Sequence, residues 1–413
     1  MTSRNDGDSL RLGAIGLGRA FSSMASSLKT HPCVRLVAAA DVSADALRAC
    51  TQDFAVTPFD NTDVLLRSRD IDAVYIATPH ELHVSQVLTA LEHGKHVIVE
   101  KPMALSLDDG RRMIETAERY GRYLIVGHSH GSDPPPLHAA RLISSGAFGA
   151  LRMVTALNYT DWIYRPRRPE ELLPSSYGVA LNQASHQIDI VRMLAGGMAV
   201  SVRAVCGRWD GERPTIGAYQ AMIEFENGAV GSLIYNGYDH FDSDELNGWT
   251  DELGQPKIRD RHGSARRTLK LQRASDSEAE IKRSAGYGGA GARRATSSFG
   301  IDGQGHQQFG VIIASCERGD IRTSTTGVTI YDAEGRREIA LHPGRGGGSR
   351  SGVFDQLYDA VIHGVTPVHS GRWGLANLEV CLAMVESSQT RRDVPLKYQL
   401  HPELGVAADL KPA

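Results

Sequence analysis

Lys101 closes the run GKHVIVEKP, where the apolar strand His96–Val99 gives way to Glu100, Lys101 and a proline. In a parallel α/β sheet the carboxyl ends of strands line the ligand crevice, so a lysine placed there faces bound ligand. Asn182, His186 and Asp189 fall at i, i+4 and i+7 of the segment Gly178–Leu194. Read as one helix, it carries all three on one face. Their neighbours Val179, Leu181, Ile188, Ile190, Val191 and Leu194 are apolar, and a narrow polar stripe on such a helix faces a cleft. Histidine changes protonation near neutral pH, so His186 would exchange a proton with a hydroxyl, with Asp189 orienting or tuning it. The plainer reading of His186 is a core histidine satisfied by hydrogen bonds. His128 and His130 follow the strand YLIV; without Cys or carboxylate partners at ligand spacing they form a polar pocket wall, and no metal site is expected. Arg165, Arg167 and Arg168, in the loop YRPRRPEE, offer forks for a carboxylate, or else belong to a solvated basic loop.

These residues need a frame, and the amino-terminal third supplies one. Gly16-Leu17-Gly18-Arg19-Ala20-Phe21 follows the strand Leu12–Ile15 and opens a helix. The first glycine permits the tight turn, the second lets backbone approach a pyrophosphate, and the helix terminus adds N–H groups at Arg19 and Ala20. Phe21 stands where a third glycine is usual. Asp41, 25 residues after Gly16, ends the strand VRLVAAA and would accept hydrogen bonds from the adenosine ribose. A carboxylate there repels a 2′-phosphate, so NAD is favoured over NADP. Thr78, Pro79 and His83, after the strand AVYIA, and Glu100 would line the same cofactor crevice, and Lys101 would reach the nicotinamide end, beside which His186 would take a proton as hydride leaves the same carbon.

Continuous apolar strands alternating with helices up to residue 130 indicate a doubly wound parallel sheet, hence an α/β dinucleotide-binding domain over 1–130. From Leu151 the strands alternate apolar and polar residues, as in Ala218–Phe225 and Val230–Tyr235, which predicts a large, mostly antiparallel open sheet in an α+β domain over 131–396, with a tail at 397–413. Helices are expected at Phe354–Ile362 and Leu375–Ser388. A basic, glycine-rich insertion near 243–300 is densest over 257–294, with eleven Lys or Arg against four Asp or Glu; it reads as a solvated loop, or as a lid or oligomer contact. With 45 basic and 48 acidic residues the chain has no bulk attraction to nucleic acid or membrane. The polar amino terminus, the lack of an 18-residue apolar run and five scattered cysteines point to a cytoplasmic protein.

GLGR, AAAD, ATPHELH and above all GKHVIVEKPMA resemble the glucose–fructose oxidoreductase / inositol dehydrogenase / MocA family over nearly the whole chain. The resemblance implies an NAD-dependent dehydrogenase with a Rossmann domain, Lys101 beside nicotinamide and substrate, often before a cis proline, and a homodimer or homotetramer formed through the carboxyl-terminal sheet. The family's helix commonly reads DxGxHxxD. Here Asn182 replaces the first aspartate, so proton removal would fall to His186 or Lys101. GHSH, RWDGERPTIGAY, YNGYDHFDSDE and SCERGDIR resemble 4,5-dihydroxyphthalate (phthalate cis-dihydrodiol) dehydrogenases, which implies a cyclic alcohol substrate, with or without a carboxylate. The alternatives are a sugar or cyclitol dehydrogenase, including one cycling a tightly held NAD, and a non-catalytic dinucleotide sensor.

Overall fold

The computed structural model describes residues 9–289, 305–345 and 350–404. Its first layer runs β1 (Leu10–Ile15), α1 (Arg19–Thr30), β2 (Val34–Ala40), α2 (Ala44–Phe54), β3 (Thr57–Phe59) and α3 (Thr62–Arg67). It continues with β4 (Ala73–Ile76), α4 (His80–Glu92), β5 (His96–Val99), α5 (Leu107–Arg119) and β6 (Leu124–Val126). The strands pair in parallel in the order β3-β2-β1-β4-β5-β6. Every residue of β4, β5 and β6 is buried, because helices cover both faces, which is why these strands read as unbroken apolar runs. The three-residue edge strand β3, with sequence TPF, has no such run and goes unread in the sequence.

After α6 (Pro134–Ser144) come β7 (Leu151–Tyr159), α7 (Gly178–Asn182), α8 (Ala184–Leu194), β8 (Ala199–Gly207), β9 (Ala218–Phe225) and β10 (Val230–Asn236). Then follow α9 (Ser264–Gln272), α10 (Glu278–Ser284), β11 (Val311–Cys316), β12 (Gly319–Thr323), β13 (Gly327–Asp332) and β14 (Gly335–Ala340). The chain closes with α11 (Gly352–His363), α12 (Gly371–Thr390) and β15 (Val394–Pro395). The second sheet has the order β14-β13-β12-β11-β7-β10-β9-β8-β15 among the described residues. Its pairs are antiparallel except β7 with β10, which run parallel from Met153 against Val230 to Tyr159 against Asn236. The alternating burial along β9 packs one face on α7 and leaves the other open.

The two halves interlock more than a cut at residue 130 suggests. Val353, Phe354, Leu357 and Tyr358 of α11 join Leu10, Leu12, Ala14 and Tyr75 in one core beneath the parallel sheet. Of the stripe expected on α12, Leu375, Leu378, Cys381 and Val385 are buried and Leu382 is half-buried. It packs both on β8 and on β6, so closely that a Cβ on Gly374 would lie 2.3 Å from Val126. The tail is tied down as far as described: Glu379 accepts the backbone N–H of Lys397 (2.6 Å) and of Tyr398 (2.9 Å). All five cysteines are free thiols. No helix among the described residues is long and apolar enough to cross a membrane.

Candidate active site

Gly16 has φ +87°, and a Cβ there would sit 2.8 Å from the Ala77 carbonyl, so only glycine lets β1 turn against β4. Gly18 caps α1, which has no side-chain cap and no acid in its first turn. Nothing would meet a Cβ on Gly18 within 4 Å. This uncapped, open helix start at Arg19 and Ala20 fits a pyrophosphate. Phe21, the third-glycine position, is fully buried and closes that side with an aromatic ring. Asp41 accepts the N–H of Leu17 (2.5 Å) and of Ser43 (2.7 Å). Each carboxylate oxygen keeps a lone pair for the ribose hydroxyls.

Beyond β4, Thr78 follows the strand and Pro79 caps α4, leaving their backbone at the crevice; the Thr78 hydroxyl donates to Gln86 (2.6 Å). His83 does not join them as a ligand. Its ring is fully buried, with Nδ1 3.0 Å from the Pro102 carbonyl and Nε2 3.0 Å from the Thr78 carbonyl. With both nitrogens engaged it has nothing left for a cofactor, and instead ties the β4 loop to the loop of Lys101. Glu100 is likewise a support: it is buried and accepts the Tyr75 hydroxyl at 2.7 Å.

The Lys101–Pro102 bond is cis, as the resemblance implies. Lys101 Nζ donates to the Asn182 carbonyl (3.0 Å) and to Asn182 Oδ1 (3.2 Å). That carbonyl is available because the expected helix Gly178–Leu194 is broken at Gln183 into α7 and α8. The His186 N–H bonds the Gln183 carbonyl (3.1 Å) rather than that of Asn182, four residues back. Burial lowers the Lys101 ammonium to about 8, against the opposing pull of Glu100 and Glu252.

His186 lies in a cage of rings. His130 meets it edge-on at 4.5 Å between centroids, and Phe309 sits 4.9 Å from His186 and 5.0 Å from His130. The Nδ1 atoms of both histidines, and of His128, are buried without a partner. Burial, then the charge of Lys101, holds His186 well below the usual histidine range. Burial and Arg350 bring His130 down to about 3, and burial brings His128 to about 4. All three imidazoles are therefore neutral at physiological pH.

Asp189 is turned elsewhere. Its Oδ1 accepts Trp373 Nε1 (2.6 Å) and Asn377 Nδ2 (3.0 Å), and its Oδ2 lies 3.2 Å from His369 Nε2. These partners belong to α12 and the turn before it, so Asp189 anchors α8 to α12 and does not orient His186. It reaches His128 only through Asn377, whose amide donates to His128 Nε2 at 3.1 Å. Arg165 is also committed: Nε meets Asp161 at 2.7 Å and Nη1 meets Glu252 at 2.6 Å, so no charge remains for a substrate carboxylate.

Three contributors went unread in the sequence: Phe309, Glu252 and Arg350. Arg350 follows the run GRGGGS, which carries no motif, yet its charge acts on Lys101, His130 and His186. The insertion is solvated over most of residues 258–277, as expected, but not beyond them. Glu278 of α10 pairs with both terminal nitrogens of Arg213 (2.7 and 2.9 Å) and accepts the Arg167 N–H (2.9 Å), while Lys282 pairs with Glu171. The chain then crosses to the glycine loop. The Tyr287 N–H bonds the Leu17 carbonyl (3.1 Å), its ring meets Phe21 edge-on at 5.1 Å, and its hydroxyl donates to Asp53. Residues 278–289 thus strap Arg167, Glu171 and Arg213 to the glycine loop; residues 290–294 of the basic run lie outside the described residues. Tyr287→Ala is expected to speed NADH release about tenfold in stopped-flow fluorescence, from loss of a half-buried ring packed on Phe21 and of its hydrogen bond. Unchanged release would mean that the strap does not hold the cofactor.

An uncapped glycine turn, an acidic strand end and a lysine at the crevice, facing a second sheet, define an NAD-dependent oxidoreductase. Residues 10–128 match the oxidoreductase family with an NAD-binding Rossmann fold, and 137–247 match the GFO/IDH/MocA carboxyl-terminal domain. The chain belongs to the GFO/IDH/MocA family. It is 40% identical over 385 residues, 92% of this chain and 95% of the other, to 1-carboxy-3-chloro-3,4-dihydroxycyclohexa-1,5-diene dehydrogenase of Comamonas testosteroni. A solved protein of Bordetella bronchiseptica RB50, also 40% identical, superposes with TM-score 0.87 over 94% of this chain and all of that one. A levoglucosan dehydrogenase in complex with NADH and levoglucosan shares the fold at TM-score 0.68 and 18% identity, over 94% of this chain and 100% of its own.

Proposed function

We propose that the enzyme oxidises a vicinal diol on an unsaturated six-membered ring, carrying a carboxylate, to the corresponding catechol. The ring cage carries this reading. Phe309 and two imidazoles present flat faces and edges, which suit a planar diene carbon ring; a sugar would need hydrogen-bond partners all round. The unpartnered Nδ1 atoms of His130 and His186 are two buried polar positions for two adjacent hydroxyls. The name of the Comamonas testosteroni relative, a carboxylated dihydroxycyclohexadiene dehydrogenase, supports the same class.

NAD, when bound, supplies the hydride acceptor; Gly16, Gly18, Arg19, Ala20, Asp41, Thr78 and Pro79 would hold it. Lys101 is the acid–base group. His186 was the first expectation, but a buried imadazole held that low beside an ammonium cannot keep a proton. An amine at about 8 exchanges one near working pH. In the neutral form Lys101 takes the hydroxyl proton, and Asn182 aims its Nζ through two acceptors. His186 and His130 orient the diol, while His128, held by Asn377, belongs to the anchor around Asp189. Exposed Met153, Val205 and Met222 on the open sheet face support self-association with a second copy, which sedimentation would read out.

The test is NADH formation by the purified protein with cis-dihydrodiols, inositols and sugars. Oxidation of carboxylated dihydrodiols with kcat/KM at least about tenfold above any sugar is expected, since the site's buried polar groups match only one class. Turnover of sugars or inositols alone would reject the diol.

A further inference from the structure

Among the described residues around the reaction centre, Arg165, Arg167, Arg213 and Lys282 each have a carboxylate within reach, Glu171 serving both Arg167 and Lys282. Arg165 has Asp161 and Glu252, Arg167 has Glu171 at 3.7 Å, Arg213 has Glu278, and Lys282 has Glu171. Arg350 differs. No carboxylate pairs with it among the described residues; its Nη1 donates to the Ser23 hydroxyl at 3.1 Å, and its Nε, like those of Arg167 and Arg213, is buried without a partner.

Its position is fixed from two sides. Ser23 belongs to α1, just beyond the glycine loop. Two residues on, Gly352 presses on the loop that carries His128 and His130, so tightly that a Cβ would lie 2.1 Å from the Ser132 carbonyl. Arg350 therefore stands between the helix that begins the cofactor site and the histidine loop that walls the substrate cage. His130 feels its charge more than any other. A partly desolvated guanidinium without a counter-charge is costly, and a planar fork is matched by a carboxylate.

Resting on the diol reading above, we infer that Arg350 binds the ring carboxylate of the substrate and so makes the enzyme selective for carboxylated over uncharged diols. The role expected of Arg165 passes to an arginine that no acid among the described residues has claimed. The other anion within reach would be a cofactor phosphate, and the experiment separates the two.

Full-length Arg350→Gln and Arg350→Lys proteins would be compared with the unmodified enzyme on paired cis-diols with and without the ring carboxylate, and NADH affinity measured by fluorescence. The ratio of kcat/KM for carboxylated to uncharged diol is expected to fall about a hundredfold in Arg350→Gln and less in Arg350→Lys, with NADH affinity kept. An equal loss on both diols together with weakened NADH binding would overturn the inference and assign Arg350 to a phosphate. Calorimetric binding of benzoate and of benzamide to the NADH-loaded protein reads the site without turnover, so it still decides if no diol is oxidised. Loss of benzoate binding alone in Arg350→Gln supports the inference, whereas benzoate binding equal to that of the unmodified protein, or absent from both, overturns it.

Discussion

Lys101→Met is expected to lower the rate of alcohol oxidation by about 10²–10⁴-fold while NADH binding is retained. That is the usual contribution of a positioned acid–base group. Methionine keeps most of the length and apolar volume of the side chain and removes the proton carrier, so the loss falls on kcat rather than on folding. Lys101→Arg is expected to be nearly as inactive, because a guanidinium does not give up its proton. The pH dependence has a definite sign. Below about 8 Lys101 already holds a proton, so oxidation slows as pH falls through that value and carbonyl reduction slows as pH rises through it. Loss of this limb in Lys101→Met, seen in kcat profiles, would identify the titrating group. A limb that persists unchanged would assign it to another residue.

Asp189→Ala is expected to produce the largest loss of stability, about 3–5 kcal/mol in denaturant unfolding, because it strands buried partners without a counter-group. Trp373, Asn377 and His369 all turn to this carboxylate. Burial alone would raise its pKa, but His369, His128 and the N–H donors hold it well below the ordinary range. The paired charge therefore stabilises the fold at neutral pH, and the gain is lost in acid as the native carboxylate takes up its proton. Asp189→Asn should keep most of the kcat per folded molecule. A fall matching that of Lys101→Met, with stability intact, would return Asp189 to the catalytic role expected from its place beside His186 in the sequence.

The sequence was most readable where one physical constraint acted alone. Strands buried on both faces showed as unbroken apolar runs, and α12 showed as a stripe. The glycine turn and Lys101 stood at strand ends, where a ligand crevice must lie. Spacing also put Asn182, His186 and Asp189 on one face, but spacing says nothing about what stands opposite. The partners of Asp189 come from residues 369–377, far along the chain, and they turn a would-be catalytic acid into a fastening. The break at Gln183 was hidden because its backbone stays near helical values, φ −102° and ψ −34°. In the insertion, charge correctly suggested solvent for residues 258–277, most of which are exposed, but not for the stretch after them, where Glu278, Lys282 and Tyr287 each have a partner on the body of the protein.

The strap has a thermodynamic consequence. One continuous stretch, Glu278 to Tyr287, grips the backbone of Arg167 on the substrate side and the Leu17 carbonyl on the cofactor side. A segment shared in this way makes the two ligands' affinities interdependent, and such interdependence is reciprocal: whatever factor NAD lends to substrate binding, substrate lends to NAD. Weakening either end of the segment would then draw both dissociation constants toward their independent values by the same factor.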